Sequence, residues 1–181
     1  PQSSKEFTWR FVPLVNPMGL IRKTRTNGRG VDLNRNFPTN NWNKEALSYW
    51  KKKQKSNSRR YPGNKAGSEQ EVKCIISHIK QFKPNFVISV HKPYNLLDMD
   101  GPLLKYPNFK GVPWKKLGTK TGSLGRYLWN DRGIPVLTIE LPHSSWGERK
   151  MLKMFSFSDL VIKKTLLYMN STSYQPYDLI Q

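Results

Sequence analysis

Apolar positions in this chain fall into short blocks, and the period within each block predicts the element it forms. Phe7 to Val15 carries Phe7, Trp9, Phe11, Val12, Leu14 and Val15, alternating at first and continuous later, and stops at Asn16-Pro17-Met18-Gly19. This predicts a buried strand leaving into a functional loop. From Leu20 to Arg60 periodicity is weak, and so long an excursion in a compact domain is usually functional or mobile. Its first half carries paired arginines and reads as functional; its second half, with Lys51-Lys52-Lys53 and Arg59-Arg60, reads as mobile. Ser68 and Glu71 stand at capping-box spacing, and Val72, Ile75, Ile76, Ile79 and Phe82 then recur at helical intervals until Pro84. A helix is predicted there, with Cys74 as a small core residue within it.

Phe86-Val87-Ile88-Ser89-Val90 ends at His91, and Val136-Leu137-Thr138-Ile139 ends at Glu140 before Pro142. Both runs are apolar and β-branched, as in strands covered on both faces. The section between them, with Pro102, Pro107, Pro113, Gly118, Gly122 and Gly125, reads as cleft-shaping loops that lead into a helix from Leu124 to Asp131. A last helix is predicted over Ser158 to Met169, with Leu160, Val161, Leu167 and Tyr168 in its apolar stripe. Strands alternating with helices indicate an α/β sheet.

At 181 residues, 36% of them apolar and 12% aromatic, the chain fits one globular domain and not a disordered segment. The formal charge of +19 would attract acidic partners, but no nucleic-acid-binding signature accompanies it, so no specific nucleic-acid partner is expected. No apolar run is long enough to span a bilayer. The chain opens at Pro1-Gln2-Ser3-Ser4-Lys5, without an initiator Met or a signal-peptide pattern, and the expectation is that a natural N-terminal segment is missing.

In open α/β sheets ligands bind outside the carboxyl ends of the strands. His91 and Glu140 are therefore expected on one rim with the loop after Val15, which carries Arg22-Lys23-Thr24-Arg25 and Gly30-Val31-Asp32-Leu33-Asn34-Arg35-Asn36-Phe37. A His and a Glu converging with several arginines suggest metal-assisted or general-base hydrolysis of a substrate bearing a carboxylate, which the planar arginine fork can grip bidentately. Each residue also has an ordinary structural reading. A His at a strand end is commonly a hydrogen-bonded scaffold residue, Glu140 and Arg35 could be ion-pair mates, and Asn34 and Asn36 could satisfy loop backbone.

Taken together, Arg22-Lys23-Thr24-Arg25, Val31-Asp32-Leu33-Asn34-Arg35-Asn36-Phe37, Ser89-Val90-His91 and Thr138-Ile139-Glu140-Leu141 resemble, in that order, the motifs of the zinc carboxypeptidase family. Val15-Asn16-Pro17-Met18-Gly19, Phe37-Pro38 and Gly67-Ser68-Glu69 resemble its bacterial murein peptide amidase branch. The resemblance implies a zinc-carboxypeptidase-like α/β fold, a mixed and largely parallel sheet flanked by helices, in a single domain over residues 1–181 that lacks its N-terminal part. It implies Zn2+ as cofactor with His91 as the third metal ligand, and Glu140 as general base and acid. Arg25 would polarise the scissile carbonyl, Asn34 and Arg35 would grip the terminal carboxylate, and Arg22 would support them.

The implied activity is hydrolysis of murein peptides at the γ-D-glutamyl–meso-diaminopimelate bond by a bacterial enzyme, cytoplasmic or periplasmic. The implied partners are an acidic muropeptide or peptide substrate and, as a separate piece, the segment carrying the other metal ligands. Two features depart from the family pattern. The His-x-x-Glu motif of the first two ligands is absent, since neither His78 nor His143 has a Glu three residues later. The family's mobile Tyr has no counterpart before Gly122-Ser123, where Gly118-Thr119-Lys120-Thr121 stands, and Tyr127 lies beyond that pair. The alternatives are a general metallocarboxypeptidase trimming C-terminal residues and a metal-free carboxypeptidase-like binding module.

Overall fold

The computed structural model describes residues 6–144 and 146–172. They divide into two compact units: residues 6–9, 85–118, 132–144 and 146–172, and Arg10–Pro84 with Thr119–Asp131.

The first unit is built on a three-stranded sheet of order β1-β3-β2, from β1 (Val87–His91), β2 (Tyr94–Asp100) and β3 (Val136–Pro142). β1 runs parallel to β3, and β2 runs antiparallel to it, so the sheet is mixed. Register assigns the faces, because residues directly opposite each other share a side of the pleat. Leu97, Leu137 and Ile139 lie on one side and are buried against Met154, Phe157 and Val161 of the C-terminal helix Glu148–Ser171, with Val112 filling between. The opposite side carries the rows His91–Glu140–Leu96 and Ser89–Thr138–Asp98.

Two of the three predicted strands, β1 and β3, form within a residue or two of their expected bounds. β1 is less covered than its apolar run suggests: Val90 is 57% exposed, because the apolar cover is built mainly on β2 and β3. β2 escapes the sequence pattern, since Asn95, Asp98 and Asp100 are poor strand formers and only register with β3 decides them. The C-terminal helix begins ten residues earlier than predicted, and its buried stripe is Met154, Phe157, Val161, Ile162 and Met169. Leu160 and Leu167 point outward, 58% and 71% exposed. Two polar residues take inward positions, Ser158 and Thr165, by donating to the carbonyls of Met154 (2.8 Å) and Val161 (2.7 Å) one turn back.

The second unit contains α1 (Pro17–Arg22), α2 (Trp42–Lys53) and α3 (Gln70–Phe82), joined by structured turns. The run from Phe7 to Val15 is not a strand: it belongs to no helix or strand and is largely exposed, with Phe11 at 72% and Leu14 at 50%. Alternation marks a surface able to be buried, but a strand also needs a neighbouring ladder, and none is described for this run. The lysine-rich half of the excursion, expected to be mobile, contains α2, whose Trp42 and Ala46 are buried while Lys51, Lys52 and Lys53 face solvent. Lys, Glu, Ala and Leu are good helix formers even where the apolar stripe is short.

α3 forms as predicted, but Ser68 is not its cap. Its hydroxyl donates to Glu69 Oε1 (2.7 Å) and accepts from Asn36. Cys74 is exposed and not a core residue, because the inward face runs through Val72 and Ile79 and Cys74 lies on the far side of the turn. The helix expected over Leu124 to Asp131 forms with a π-helical centre, Arg126–Asn130.

Candidate active site

In the unit holding the arginine motifs, the chain has few ladder hydrogen bonds, so polar side chains shape the turns. Asn16 caps α1 by accepting the Gly19 N–H (2.9 Å), and a side chain at Gly19 would collide with that Asn16 amide. α1 ends at Lys23 in the left-handed conformation, which turns the chain toward Arg25. Arg22 Nη1 donates to Gly28 O (3.3 Å), tying the end of α1 to the following turn.

The turn at 32–35 is the best-defined part. Asp32, 1% exposed, caps a short 3-10 turn, Leu33–Arg35, by accepting the Asn34 N–H at Oδ1 (3.2 Å). Its Oδ2 accepts from Arg25 Nε at 2.7 Å, a partly buried ion pair. The Asp32 N–H in turn donates to Tyr61 O (2.8 Å). Asp32 thus holds Arg25 by its Nε and leaves the two terminal guanidinium nitrogens for another acceptor. Sequence reading passed over this role, although an acid seven residues after Arg25 was the available signal.

Asn34 is oriented from ninety positions away. The Leu124 N–H donates to its Oδ1 at 2.8 Å, so the amide presents Nδ2 outward as a donor. The 119–124 loop is locked beside the same turn, where the Phe37 N–H donates to Gly122 O (3.0 Å) and the Gly122 N–H donates to Thr39 Oγ1 (3.1 Å), and α2 is tied to it where Trp42 Nε1 donates to Arg35 O (2.9 Å). Gly122 has φ +75°, and any β-carbon there would collide with the Arg35 carbonyl, so this close approach requires glycine. Arg35 Nη1 bonds to Asn34 O. Burial holds the Arg35 guanidinium below the usual arginine range; Arg25 and Arg60 add to the effect, and Asp32 opposes it.

Asn36 follows the ordinary structural reading. Fully buried, it donates through Nδ2 to Pro62 O (2.7 Å), Lys65 O (3.0 Å) and Ser68 Oγ (3.2 Å), and accepts the Glu69 N–H at Oδ1 (3.1 Å). Tyr127 is 2% exposed and packs against Phe37 at 5.6 Å between ring centroids, a core position.

In the sheet unit, His91 ends β1 and pairs in register with Glu140 of β3, so the two side chains leave the same face from strands about 4.8 Å apart. His91 Nε2 lies 2.8 Å from Ser89 Oγ, two residues back on that face, a contact that orients the imidazole. Glu140 is buried, 7% exposed. Further down β2, burial raises the pKa of Asp98, opposed by backbone N–H bonds and Lys116. Burial first, and the Asp98 carboxylate second, push Asp100 up to about 6.

A catalytic zinc normally takes three protein ligands. His91 is the one ligand this chain offers by resemblance, and no group of three or more His, Cys, Asp and Glu side chains able to hold a metal occurs among the described residues. These residues do not complete a zinc site. None of the described helices is long and apolar enough to cross a membrane.

Comparison with known proteins identifies the family. The family described as zinc carboxypeptidase matches residues 2–97. The chain is 39% identical over 156 residues to murein peptide amidase A of Escherichia coli strain K12, covering 81% of this chain and 63% of that protein. It is 33% identical over 139 residues to murein peptide amidase A of Vibrio campbellii, covering 71% and 54%. The crystal structure of a murein-tripeptide amidase from Escherichia coli O157 superposes with a TM-score of 0.56 at 26% identity, over 81% of this chain and 64% of that one. The chain therefore spans between about half and two thirds of the length of these relatives.

Proposed function

Because the chain belongs to the zinc carboxypeptidase family, we propose that it hydrolyses murein peptides at the bond between γ-D-glutamate and meso-diaminopimelate. The observation that carries this reading is the 32–35 turn, where one buried aspartate holds Arg25 and an amide donor and a guanidinium stand side by side at Asn34 and Arg35. The names of the bacterial relatives supply the substrate class.

In this mechanism Asn34 Nδ2 and the Arg35 guanidinium hold the terminal carboxylate of the leaving residue, which fixes the peptide in register. Arg25 donates its terminal nitrogens to the scissile carbonyl oxygen and stabilises the negative charge that develops there. Glu140 takes a proton from the attacking water and returns it to the departing amine. His91 is assigned to the family's metal, whose ligand set the described residues leave incomplete.

The test is incubation of the chain, joined to the His-x-x-Glu segment of a family relative and supplied with zinc, with L-alanyl-γ-D-glutamyl-meso-diaminopimelate, followed by chromatography for free diaminopimelate. Release of diaminopimelate supports the proposal. Release of ordinary C-terminal residues from unrelated peptides in its place would select the general carboxypeptidase. Arg35-dependent binding of the tripeptide without any hydrolysis would select the metal-free binding module.

A further inference from the structure

One recess in the unit that holds Arg35 carries more positive charge than the proposed reaction uses. Arg35, Arg60 and Lys120 line it together with Tyr49, Gln54 and Thr121. Trp50 builds one wall. Its Nε1 donates to Asn57 O (2.8 Å) and its ring packs on Tyr61 at 4.8 Å, which ties the end of α2 to the 3-10 turn Ser58–Arg60 and carries Arg60 to the recess. Lys120 arrives on the loop anchored through Gly122 to Phe37 and Thr39.

The cations here lack counterions. Among the described residues, neither Arg60 nor Lys120 has an ion pair or a side-chain hydrogen bond, and the acid acting on Arg35, Asp32, is already engaged by Arg25. Arg60 is close enough to Arg35 to oppose its charge. Lys51, Lys52 and Lys53, by contrast, spread into solvent on the outer face of α2. Like charges gathered at one recess, Arg35 and Arg60 partly buried and Lys120 exposed at its edge, repel one another unless an anion joins them.

We propose that Arg60 and Lys120 form a second anion subsite beside Arg35, which takes a side-chain carboxylate of the same residue whose terminal carboxylate Arg35 grips. The preferred C-terminal residue is then a dicarboxylic one. A neutral or basic side chain would leave these two cations unneutralised and be discriminated against. The inference rests on the clamp role given to Arg35 above, and its test separates the two.

The measurement is calorimetric titration of the full chain with meso-diaminopimelate and with L-lysine, which has the same carbon chain apart from the second carboxylate. It is carried out on the wild type, Arg60→Gln/Lys120→Gln and Arg35→Gln, each checked for native thermal unfolding. The wild type should bind diaminopimelate about 10- to 100-fold more tightly, the range expected for one or two charge-assisted hydrogen bonds. The double variant should lose that preference with its lysine affinity unchanged or raised, and Arg35→Gln should weaken both ligands. Equal wild-type affinities, or a preference that survives in the double variant, overturns the subsite and leaves the clamp standing if Arg35→Gln still weakens lysine binding. A preference lost in the double variant, with both affinities unmoved by Arg35→Gln, keeps the subsite and overturns the clamp. Failure of both ligands to bind overturns both.

Discussion

In the sheet unit, Glu140 and His91 project from one face of three strands whose other face is closed by Leu97, Leu137 and Ile139 on Met154, Phe157 and Val161. In the other unit, Arg25, Asn34 and Arg35 stand on irregular chain, and buried polar side chains hold it: Asp32, Asn36, and Asn27, whose amide bridges the backbone of Arg29 and Val31 to Glu69. Apolar packing is non-directional and tolerates a change of shape if volume is kept. Hydrogen-bonded turns tolerate a change of volume poorly and a change of donor pattern worse, because each lost partner strands a buried group. The base is thus proposed to sit on a scaffold set by volume, and the substrate clamp on one set by hydrogen-bond geometry.

The largest effect that would sharpen this contrast is expected from Glu140→Gln, which keeps shape and removes the proton acceptor. Turnover of the murein tripeptide should fall by about 1,000-fold or more, with the thermal unfolding profile unchanged; activity within tenfold of wild type would remove Glu140 from the mechanism.

Next come paired core substitutions. Leu137→Ala should cost about 3 kcal/mol of stability in urea unfolding, and Leu137→Met less than about 1.5 kcal/mol. At Asn36 the order should differ. Asn36→Leu, which keeps the branching of the side chain but is bulkier, should cost about 3 kcal/mol or more, because Pro62 O and the Glu69 N–H lose their partner and the site is overpacked. If Asn36→Leu were as mild as Leu137→Met, the contrast between the two scaffolds would fail.

Asp32→Asn should act on function through position. It weakens the hold on Arg25 Nε while still accepting the Asn34 N–H, so the expected result is a roughly tenfold loss in kcat with KM little changed. A change confined to KM would assign Asp32 to the carboxylate clamp.

The smallest effect concerns pH. Asp100 is held up to about 6 in the fold, above its ordinary value near 3.8. Between those values the folded state binds more protons than the unfolded one, so this group's contribution to stability is present below about pH 4, is lost as pH rises through 6, and is flat beyond. Asp100→Asn should raise stability at pH 7 by about 1 kcal/mol after allowance for solvent screening and flatten the pH profile across that window. A profile that keeps its slope there would place the shift on another group.

Much of the candidate site was legible because its residues stand at the ends of apolar runs or inside compact motifs. The β-branched blocks around Ile88 and Leu137 specify strands by themselves, and they carry His91 and Glu140 into register as neighbours. The motif from Asp32 to Phe37 contains its own cap, since Asp32 is two residues before the N–H it accepts. α2 and β2 were not legible: lysines hide the short apolar stripe of one, and aspartates interrupt the alternation of the other. The exposed run from Phe7 to Val15 is the reverse case, an apolar alternation that forms no strand.

The sequence alone therefore determined the chemistry on offer: two of the three strands, the imidazole and the carboxylate at their ends, and the stretch that carries Arg25, Asn34 and Arg35. Those are local properties of period, propensity and capping. Tertiary structure decided what those groups can do. The Leu124 N–H turns the Asn34 amide so that its donor faces outward, Gly122 lets a distant loop lie against Arg35, and the Trp50 contact brings Arg60 beside it. Each depends on segments far apart in the chain meeting at hydrogen-bond distance, and no local pattern encodes such a meeting.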